Sequence, residues 1–321
     1  MSPAPASNPN PATATEVKVE SRPMPVRELT EAPSPTPHPR KRGSQMPFMF
    51  RHAFLICFTL AVLWPILWVL KMAFNDGQDF AFSMNPLPDN FTFQNFAHLI
   101  STTDKDGNWL FWRQFRNSAV ISISASLIGI FVSASAAYAF SRFKFPGRRA
   151  GMMAFLITQM FPGTMMMIPL YLLLNYLGLL DSMLGLILVY STTTIPFCTW
   201  NLKGYFDTIP RELEEAAIID GASQARIFWQ IIMPLSAPAL AVTALIAFMS
   251  SWNEYILAAK FMDSEMSYTL PVVVNSYISS KSVQWGYFAA GAVLVSTPIV
   301  LLFLALQKFM VGGLTAGGVK G

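Results

Sequence analysis

ELEEAAIIDGASQARIFWQIIMP (212–234) is a polar stretch that lies between two long apolar segments of the chain. The glutamates near its start favour the positive end of a helix dipole, and Pro210 is tolerated in a first helical turn. Gly221 is placed to end this helix with a positive φ, and Ser223 is placed to cap a second helix. We therefore expect a two-helix insert over 203–234 that is anchored at both ends in apolar segments.

The composition of the whole chain is that of a membrane protein. Hydrophobic residues make up 53% of it and charged residues only 12%, about half of the roughly 25% typical of soluble domains. Apolar runs of about 18 residues or more are long enough to cross a hydrocarbon core of about 30 Å. We predict an all-α integral membrane protein with six transmembrane helices, at about 52–74, 117–140, 150–174, 182–202, 235–259 and 285–311.

The first 45 residues differ from the rest of the chain. They contain ten of its 23 prolines and no apolar run, so they are not a signal peptide. A segment of this composition buries too little apolar surface to offset its chain entropy. We expect a disordered leader over 1–45, followed by a six-span domain over 46–321 with a C-terminal tail at 312–321.

Lysine and arginine are distributed unevenly between the loops. With both termini inside, thirteen basic residues lie on the inner side near the membrane and six on the outer side. This asymmetry predicts a multi-pass protein of the inner membrane with both termini in the cytoplasm. The insert 203–234 has three basic and five acidic side chains, which argues against binding of nucleic acid.

The sequence gives no sign of a catalytic or metal centre. Cys57 and Cys198 both fall in predicted spans, and the three histidines have no ligand spacing. The glycines near the C-terminus lack the Gly-Lys-Ser/Thr of a phosphate-binding loop. We expect no catalytic residue, no metal and no cofactor in this chain.

Small residues and prolines mark the predicted spans. In the second span, Ala125, Gly129, Ser133 and Ala137 recur every four residues, a spacing that lets helices approach closely. We favour packing within the chain over a subunit interface for this ladder. Proline occurs in each of the other five spans and favours kinks, but the sequence does not identify any one of them as a hinge: Pro65, Pro162 and Pro169, Pro196, Pro238, and Pro298.

The spacing within the insert resembles a known family pattern. Glu215-Ala216-Ala217, then Gly221, then Ile231 and Pro234 match the EAA signature of permease subunits of ABC importers, with Met233 where leucine is usual. From about residue 50 onward the chain resembles the maltose-type second permease subunit of carbohydrate importers. The segments that carry this wider resemblance are AYAFSRFKFPGR (137–148), NLKGYFDTIPRELEEAAIIDGA (201–222), SSWNEYILAA (250–259) and VGGLTAGGVKG (311–321).

The resemblance implies roles and partners for the chain. It implies a cytoplasmic coupling helix that docks on a separate ATPase, and a tail that reaches the ATPase dimer. It also implies a second homologous permease, two copies of the ATPase that bind ATP and Mg²⁺, and an external sugar-binding protein. The implied coupling residues are Glu215, Ala216, Ala217, Asp220, Gly221, Ile231 and Pro234, and those of the tail are Gly313, Thr315, Gly317 and Gly318.

Glu254 is the one acid inside a predicted span. An ionisable group in a membrane helix is a functional candidate. It lies about 30 Å along the helix from Pro234, at 1.5 Å per residue, and therefore near the outer boundary. We expect Asn253 and Glu254 to form an outer gate or a contact for the binding protein.

The cargo is left open by the sequence. The resemblance implies maltose, maltodextrin or a related oligosaccharide, and the same fold could carry another cargo such as glycerol 3-phosphate. An ion-driven secondary transporter would normally place charges near the bilayer midplane, where the predicted spans carry almost none. A membrane enzyme would need a constellation of reactive side chains that the sequence lacks.

Overall fold

The computed structural model describes residues 48–80, 85–278 and 283–317, with side chains for 49–80, 85–278 and 283–310. The chain divides into two units between Phe54 and Leu55. The described residues of the first unit form the first turns of a helix, and all the other described residues belong to the second unit. The predicted leader 1–45 lies outside the described residues.

Most of the described residues are helical. Four helices are long and apolar enough to cross a membrane without interruption, and they correspond to the first, second, fourth and sixth predicted spans. The helices are α1 (Phe48–Phe74), α2 (Gln94–Ser101), α3 (Leu110–Arg142), α4 (Arg148–Met160), α5 (Met167–Tyr176), α6 (Met183–Phe206), α7 (Glu212–Ile219), α8 (Gln224–Ile227), α9 (Met233–Leu235), α10 (Ala237–Trp252), α11 (Ala258–Phe261), α12 (Leu270–Ser276) and α13 (Trp285–Gly317).

The third predicted span, 150–174, is broken rather than continuous. Helix α4 ends at Met160, a 3₁₀ turn covers Gly163–Met166, and the direction changes by 95° before α5 continues to Tyr176. Phe161 is extended, with φ −77° and ψ 128°, because Pro162 disfavours the helical region for the residue that precedes it. The kink that proline was expected to favour thus occurs in this span, as a sharp bend at Pro162.

The fifth predicted span, 235–259, is shorter than expected, and a sharp bend lies at its start, at Ser236. Helix α10 ends at Trp252, and it makes an angle of 79° with the helical segment Gln224–Leu235 that precedes it. Pro238 lacks the N–H that would have bonded to the carbonyl four residues earlier, which weakens the helix at this point and permits the bend. The four continuous helices and the two broken pairs together give the six predicted spans.

The other prolines do not break their helices. Pro65, Pro196 and Pro298 lie inside α1, α6 and α13, which continue on both sides of them. The two large changes of direction thus occur next to Pro162 and Pro238 only, among the spans that the structure describes.

The small-residue ladder of α3 packs against α6. Ala125, Gly129, Ser133 and Ala137 are all buried, and the Ser133 hydroxyl donates a 3.1 Å hydrogen bond to the carbonyl of Ile195 in α6. A Cβ added at Gly129 would lie only 2.7 Å from a side-chain atom of α6. The prediction that this ladder packs within the chain is confirmed.

Loops meet at two ends of the helix bundle. At the end that we call the insert end, the loop 143–147 and the insert lie beside the C-terminal turns of α3 and α6. At the opposite end, the carboxylate of Asp181, which precedes α6, accepts hydrogen bonds from the amides of Asp263 and Ser264. Trp285, at the start of α13, donates a 3.0 Å hydrogen bond to the carbonyl of Gln78, so the loops that follow α1 and α12 also meet there.

Candidate functional site

The first helix of the insert, α7, begins at Glu212. Its first turn contains three glutamates, Glu212, Glu214 and Glu215, whose charges favour the exposed amides of a helix N-terminus. The amides of Glu214 and Glu215 both donate to the carbonyl of Arg211, at 2.9 and 3.0 Å. Pro210 was expected in the first turn, but it precedes α7 by two residues, because Arg211 rather than Pro210 occupies the N-cap position.

The end of α7 is a Schellman motif centred on Gly221. Gly221 has φ +80°, as the sequence predicted. Its amide donates to the carbonyl of Ile218 at 3.0 Å, and the amide of Ala222 donates to that of Ala217 at 2.9 Å. These are the two bonds that define this type of helix end. Asp220 is the C-cap residue, so the motif fixes how the chain turns out of α7.

The second half of the insert returns the chain to the bundle. The Ser223 side chain caps α8 by accepting a hydrogen bond from the amide of Arg226, and a π-helical turn follows over Phe228–Ile232. Ile227, Phe228 and Ile232 are buried against α3 and α6. Two predicted coupling residues close this segment, half-buried Ile231 and exposed Pro234, which lies in α9.

One face of α7 is exposed in this chain and is largely apolar. Leu213 is 45% exposed and Ile219 is 86% exposed, and Ala216 and Glu215 are exposed beside them. The Glu215 carboxylate has no hydrogen bond or ion pair within the described part of the chain. Exposed apolar side chains next to an unpaired charge form a surface suited to a protein partner.

The buried side of α7 carries an acid that the sequence did not single out. The Glu214 carboxylate pairs with the Arg142 guanidinium at the end of α3, and their side chains are 10% and 8% exposed. The Tyr138 hydroxyl lies 3.1 Å from the other Glu214 oxygen and 3.2 Å from the amide oxygen of Gln224. A buried charge needs such partners. The sequence shows three glutamates close together, but it does not show which of them is buried.

A second polar contact joins α3 to the start of the insert. The Ser141 hydroxyl donates a 2.6 Å hydrogen bond to Asp207, whose other oxygen accepts one from Lys203 at 2.6 Å. Burial raises the pKa of Asp207, but the bonds from Lys203 and Ser141 outweigh burial, so its pKa lies below the usual value. Asp207 is therefore ionised at neutral pH.

Glu254 lies outside the helix in which it was predicted. It follows Asn253, the exposed C-cap residue of α10. Its carboxylate accepts hydrogen bonds from the amides of Leu257 and Ala258, at 2.9 and 3.2 Å. The carboxylate thus orders the turn that leads into α11, at the opposite end from the insert.

The C-terminal tail is described only in part. The backbone of α13 continues through Gly313, Thr315 and Gly317, beyond the predicted end of the sixth span at 311, whereas Gly318 lies outside the described residues. The predicted contacts of these residues with an ATPase stay a prediction.

Comparison with known proteins identifies the family of this fold and insert. Residues 125–314 match the family of binding-protein-dependent transport system inner membrane components. The chain is 38% identical to the maltodextrin transport system permease protein MdxG of Bacillus subtilis, over 84% of this chain and 95% of that protein. It is 36% identical to the maltose/maltodextrin transport system permease protein MalG of Vibrio vulnificus, with 84% and 95% covered.

A solved structure shows the same fold. It is the crystal structure of a bacterial ABC transporter involved in the import of the acidic polysaccharide alginate, one chain of which is 25% identical to this chain. The match has a TM-score of 0.67 and covers 81% of this chain and 95% of that chain. The chain therefore belongs to the family of binding-protein-dependent transport system inner membrane components, as a multi-pass permease of the ABC sugar importer type.

Proposed function

We propose that this permease couples ATP hydrolysis in a partner ATPase to the uptake of maltodextrin or a related oligosaccharide, with α7 as the coupling helix. The observation that carries the proposal is the orientation of α7. One of its three glutamates, Glu214, is buried in the chain, whereas Leu213, Ile219 and Glu215 are exposed. An isolated membrane subunit gains nothing by exposing such a face to water, and a docked ATPase would cover it.

The assembly follows from the family and from this surface. A second homologous permease completes the pathway, two ATPase subunits bind ATP and Mg²⁺, and an external binding protein delivers the sugar. With both termini cytoplasmic, the insert end faces the ATPase and the opposite end faces the binding protein. ATP-driven closure of the ATPase dimer favours one conformation of the permease, and hydrolysis resets it.

The chain supplies no ATPase site in this proposal. It contributes binding surfaces and helices that move, and the ATPase subunits carry out the chemistry. The rigid end of α7 at Gly221 suits this division of labour, because a helix that transmits a displacement must not fray at its end.

The cargo assignment rests on the relatives. MdxG and MalG are named as maltodextrin and maltose/maltodextrin permeases, which favours a glucose oligosaccharide. The alginate importer has the same fold with an acidic polysaccharide as its cargo, so the fold alone does not decide. Glycerol 3-phosphate is a further alternative cargo for this fold.

The ion-driven alternative finds little support in the distribution of charge. Among the described residues, the buried charged side chains are Lys71, Glu214 and Arg142, which pairs with Glu214 from the end of α3. Lys71 lies in the last turn of α1 and Glu214 in the insert, so both are near the ends of the bundle. A proton- or sodium-coupled transporter would need ionisable groups nearer the middle of its spans.

The proposal is tested by reconstituting the permease with its partner permease, the ATPase and the binding protein in liposomes. ATP hydrolysis and sugar uptake are measured with maltose, maltotriose, a galactooligosaccharide, alginate oligomers and glycerol 3-phosphate. We expect a glucose oligosaccharide to stimulate both, and Glu215→Lys to abolish uptake without loss of membrane insertion.

The matched control is Lys144→Glu, which reverses an exposed charge at the same end of the bundle and should transport normally. Stimulation by a different compound from this panel would overturn the cargo assignment. Normal uptake and stimulated hydrolysis in Glu215→Lys would overturn the coupling role of α7. Uptake that continues without the ATPase would instead support the ion-driven alternative.

A further inference from the structure

The insert is attached to the bundle at a third place besides its two covalent connections to α6 and α10. The last turn of α3 contacts the insert through three polar side chains, Tyr138, Ser141 and Arg142. Their partners are spread along the insert, from its first residues to the helix after the Gly221 turn: Asp207, Ile209, Glu214 and Gln224. We call these seven residues the α3 clasp.

Arg142 is the centre of the clasp. Its guanidinium donates to the Glu214 carboxylate through Nε, to the Ser141 hydroxyl at 3.1 Å through Nη1 and to the Ile209 carbonyl at 3.0 Å through Nη2. The planar fork of an arginine can satisfy these three directions at once, whereas the ammonium of a lysine acts as a point charge. The clasp therefore fixes the orientation of α7 and not merely its distance from α3.

The contacts of Glu214 are also complete. One carboxylate oxygen accepts from Arg142, and the other accepts from the Tyr138 hydroxyl at 3.1 Å. A buried ion pair adds little net stability compared with apolar residues of the same size, and its clearest use is to select one arrangement over others. A pair that joins a surface helix to a spanning helix is well suited to that use.

The clasp ends at a helix that is itself tightly packed. On the N-terminal side of Tyr138, α3 packs along α6 through its ladder of small residues, and the Gly129 backbone lies against Thr194. A displacement of the last turn of α3 is therefore passed to the α3–α6 pair as a whole, because close-packed helices do not absorb it locally.

We propose that α3 and α7 move as one body during transport, and that Arg142 and Glu214 are positioning residues that transmit the motion of the coupling helix into the second span. This inference rests on the coupling role of α7 proposed above. It adds a specific route, through the α3 clasp, to the two covalent connections of the insert.

The test uses the complete reconstituted complex with Arg142→Gln, Glu214→Gln and the milder Tyr138→Phe. The quantity measured is the number of ATP molecules hydrolysed per sugar transported, for equal amounts of assembled complex. We expect this ratio to rise at least threefold in Arg142→Gln and Glu214→Gln, with a smaller rise in Tyr138→Phe. Arg142→Lys keeps the charge and should give an intermediate ratio. Arg149→Gln removes an exposed arginine nearby and should leave the ratio unchanged.

A second readout follows the distance directly. Spin labels on cysteines at Lys144 and Glu212, in a background with Cys57→Ser and Cys198→Ala, report the separation of the α3 end from α7. We expect one narrow distance distribution that is the same with and without ATP, and a broad one in Arg142→Gln. Labels are read in the complete complex, so that the docked ATPase is present.

The outcomes separate the two proposals. An unchanged ATP-to-sugar ratio in all three clasp variants, or a wild-type distance that changes with ATP, would overturn the clasp as a coupling route. Loss of uptake in Glu215→Lys alongside that result would leave the coupling role of α7 intact. If the amount of assembled complex falls in the two glutamine variants, Tyr138→Phe decides, since it removes a single hydroxyl. An unchanged ratio in Tyr138→Phe would then overturn the inference.

Discussion

The hydroxyl of Tyr190, in the third turn of α6, donates a 2.6 Å hydrogen bond to the carboxylate of Glu254. Tyr190 is almost fully buried. The Glu254 carboxylate also accepts hydrogen bonds from the amides of Leu257 and Ala258. One carboxylate thus joins the turn after α10 to the neighbouring spanning helix. Glu254, which the sequence suggested as part of an outer gate, thus holds the turn after α10 against α6 at that end of the bundle.

We expect Glu254→Ala to lower the thermal stability of the complex, because the turn after α10 is no longer held against α6. Three hydrogen bonds to a charged acceptor are lost, and bonds of this kind are worth about 1.5–3 kcal/mol each when intact. Tyr190→Phe removes only one of them and should have a smaller effect in the same direction. The measurement is the thermal stability of the purified complex together with ATP hydrolysis stimulated by the loaded binding protein.

Asn253→Ala is the matched control for the stability measurement, since its side chain is exposed and has no hydrogen bond within the described residues. If Glu254→Ala matches the wild type in both measurements, Glu254 neither stabilises the turn after α10 nor forms part of an outer gate. A loss of stimulation without a loss of stability would favour a direct contact with the binding protein.

Packing of α3 on α6 should not tolerate a larger residue at Gly129. A Cβ there would lie 2.7 Å from the Thr194 hydroxyl oxygen, and overpacking of this kind typically costs about 1–3 kcal/mol. Gly129→Leu should lower the amount of monodisperse protein extracted from membranes and its thermal stability. Ser135→Leu, at an exposed position of the same helix, should extract as well as the wild type. Equal behaviour of the two variants would show that this contact is not tight.

The six apolar spans could be predicted because membrane insertion depends on local hydropathy. Their breaks could not, although the prolines were visible. Pro162 and Pro238 stand at large changes of direction, whereas Pro65, Pro196 and Pro298 lie in continuous helices. A missing backbone bond permits a bend, and only the packing of the neighbouring helices decides whether the chain takes it.

In the insert, too, one feature could be predicted from the sequence and another could not. The end of α7 at Gly221 could be predicted, because a left-handed residue after a short helix is a local feature. The burial of Glu214 could not, because its partner Arg142 lies 72 residues earlier in the chain. Local spacing does not show which of three adjacent glutamates faces the bundle when the pairing residue comes from another span.

The predicted orientation is tested by labelling single cysteines in intact cells with an impermeant reagent. The background carries Cys57→Ser and Cys198→Ala. We choose Lys105 and Glu265 because the side chains of their neighbours, Asp104 and Ser264, accept hydrogen bonds that order their own loops. We expect cysteines at Lys105 and Glu265 to be labelled and one at Lys144 to be protected until the cells are opened. The reverse pattern would invert the topology and place the insert outside.

Deleting residues 313–321 should separate membrane insertion from function. Helix α13 begins at Trp285, so the part that remains exceeds the ~20 residues needed to span a bilayer. We expect normal insertion, reduced sugar uptake and altered ATP hydrolysis by the complex, because the tail is proposed to contact the ATPase. A variant in which 313–321 are replaced by a Gly/Ser sequence of equal length controls for length alone. Uptake and hydrolysis equal to the wild type in the deletion would show that the tail is passive.

Gly221 provides the sharpest test of a rigid end to the coupling helix. Its φ is +80° and a Cβ would meet no atom within 4 Å, so a substitution there strains the backbone without causing a clash. Valine resists this conformation by about 1–2 kcal/mol, which lowers the population of the Schellman turn about five- to thirtyfold.

Asparagine, which tolerates positive φ, is the matched control. We expect Gly221→Val to insert normally but to lose most sugar uptake and binding-protein-stimulated hydrolysis, and Gly221→Asn to keep most of both. Because a Cβ at this position meets no neighbour in this chain, a difference between them reports mainly the backbone geometry. Equal uptake by the two variants would mean that transport does not depend on how α7 ends.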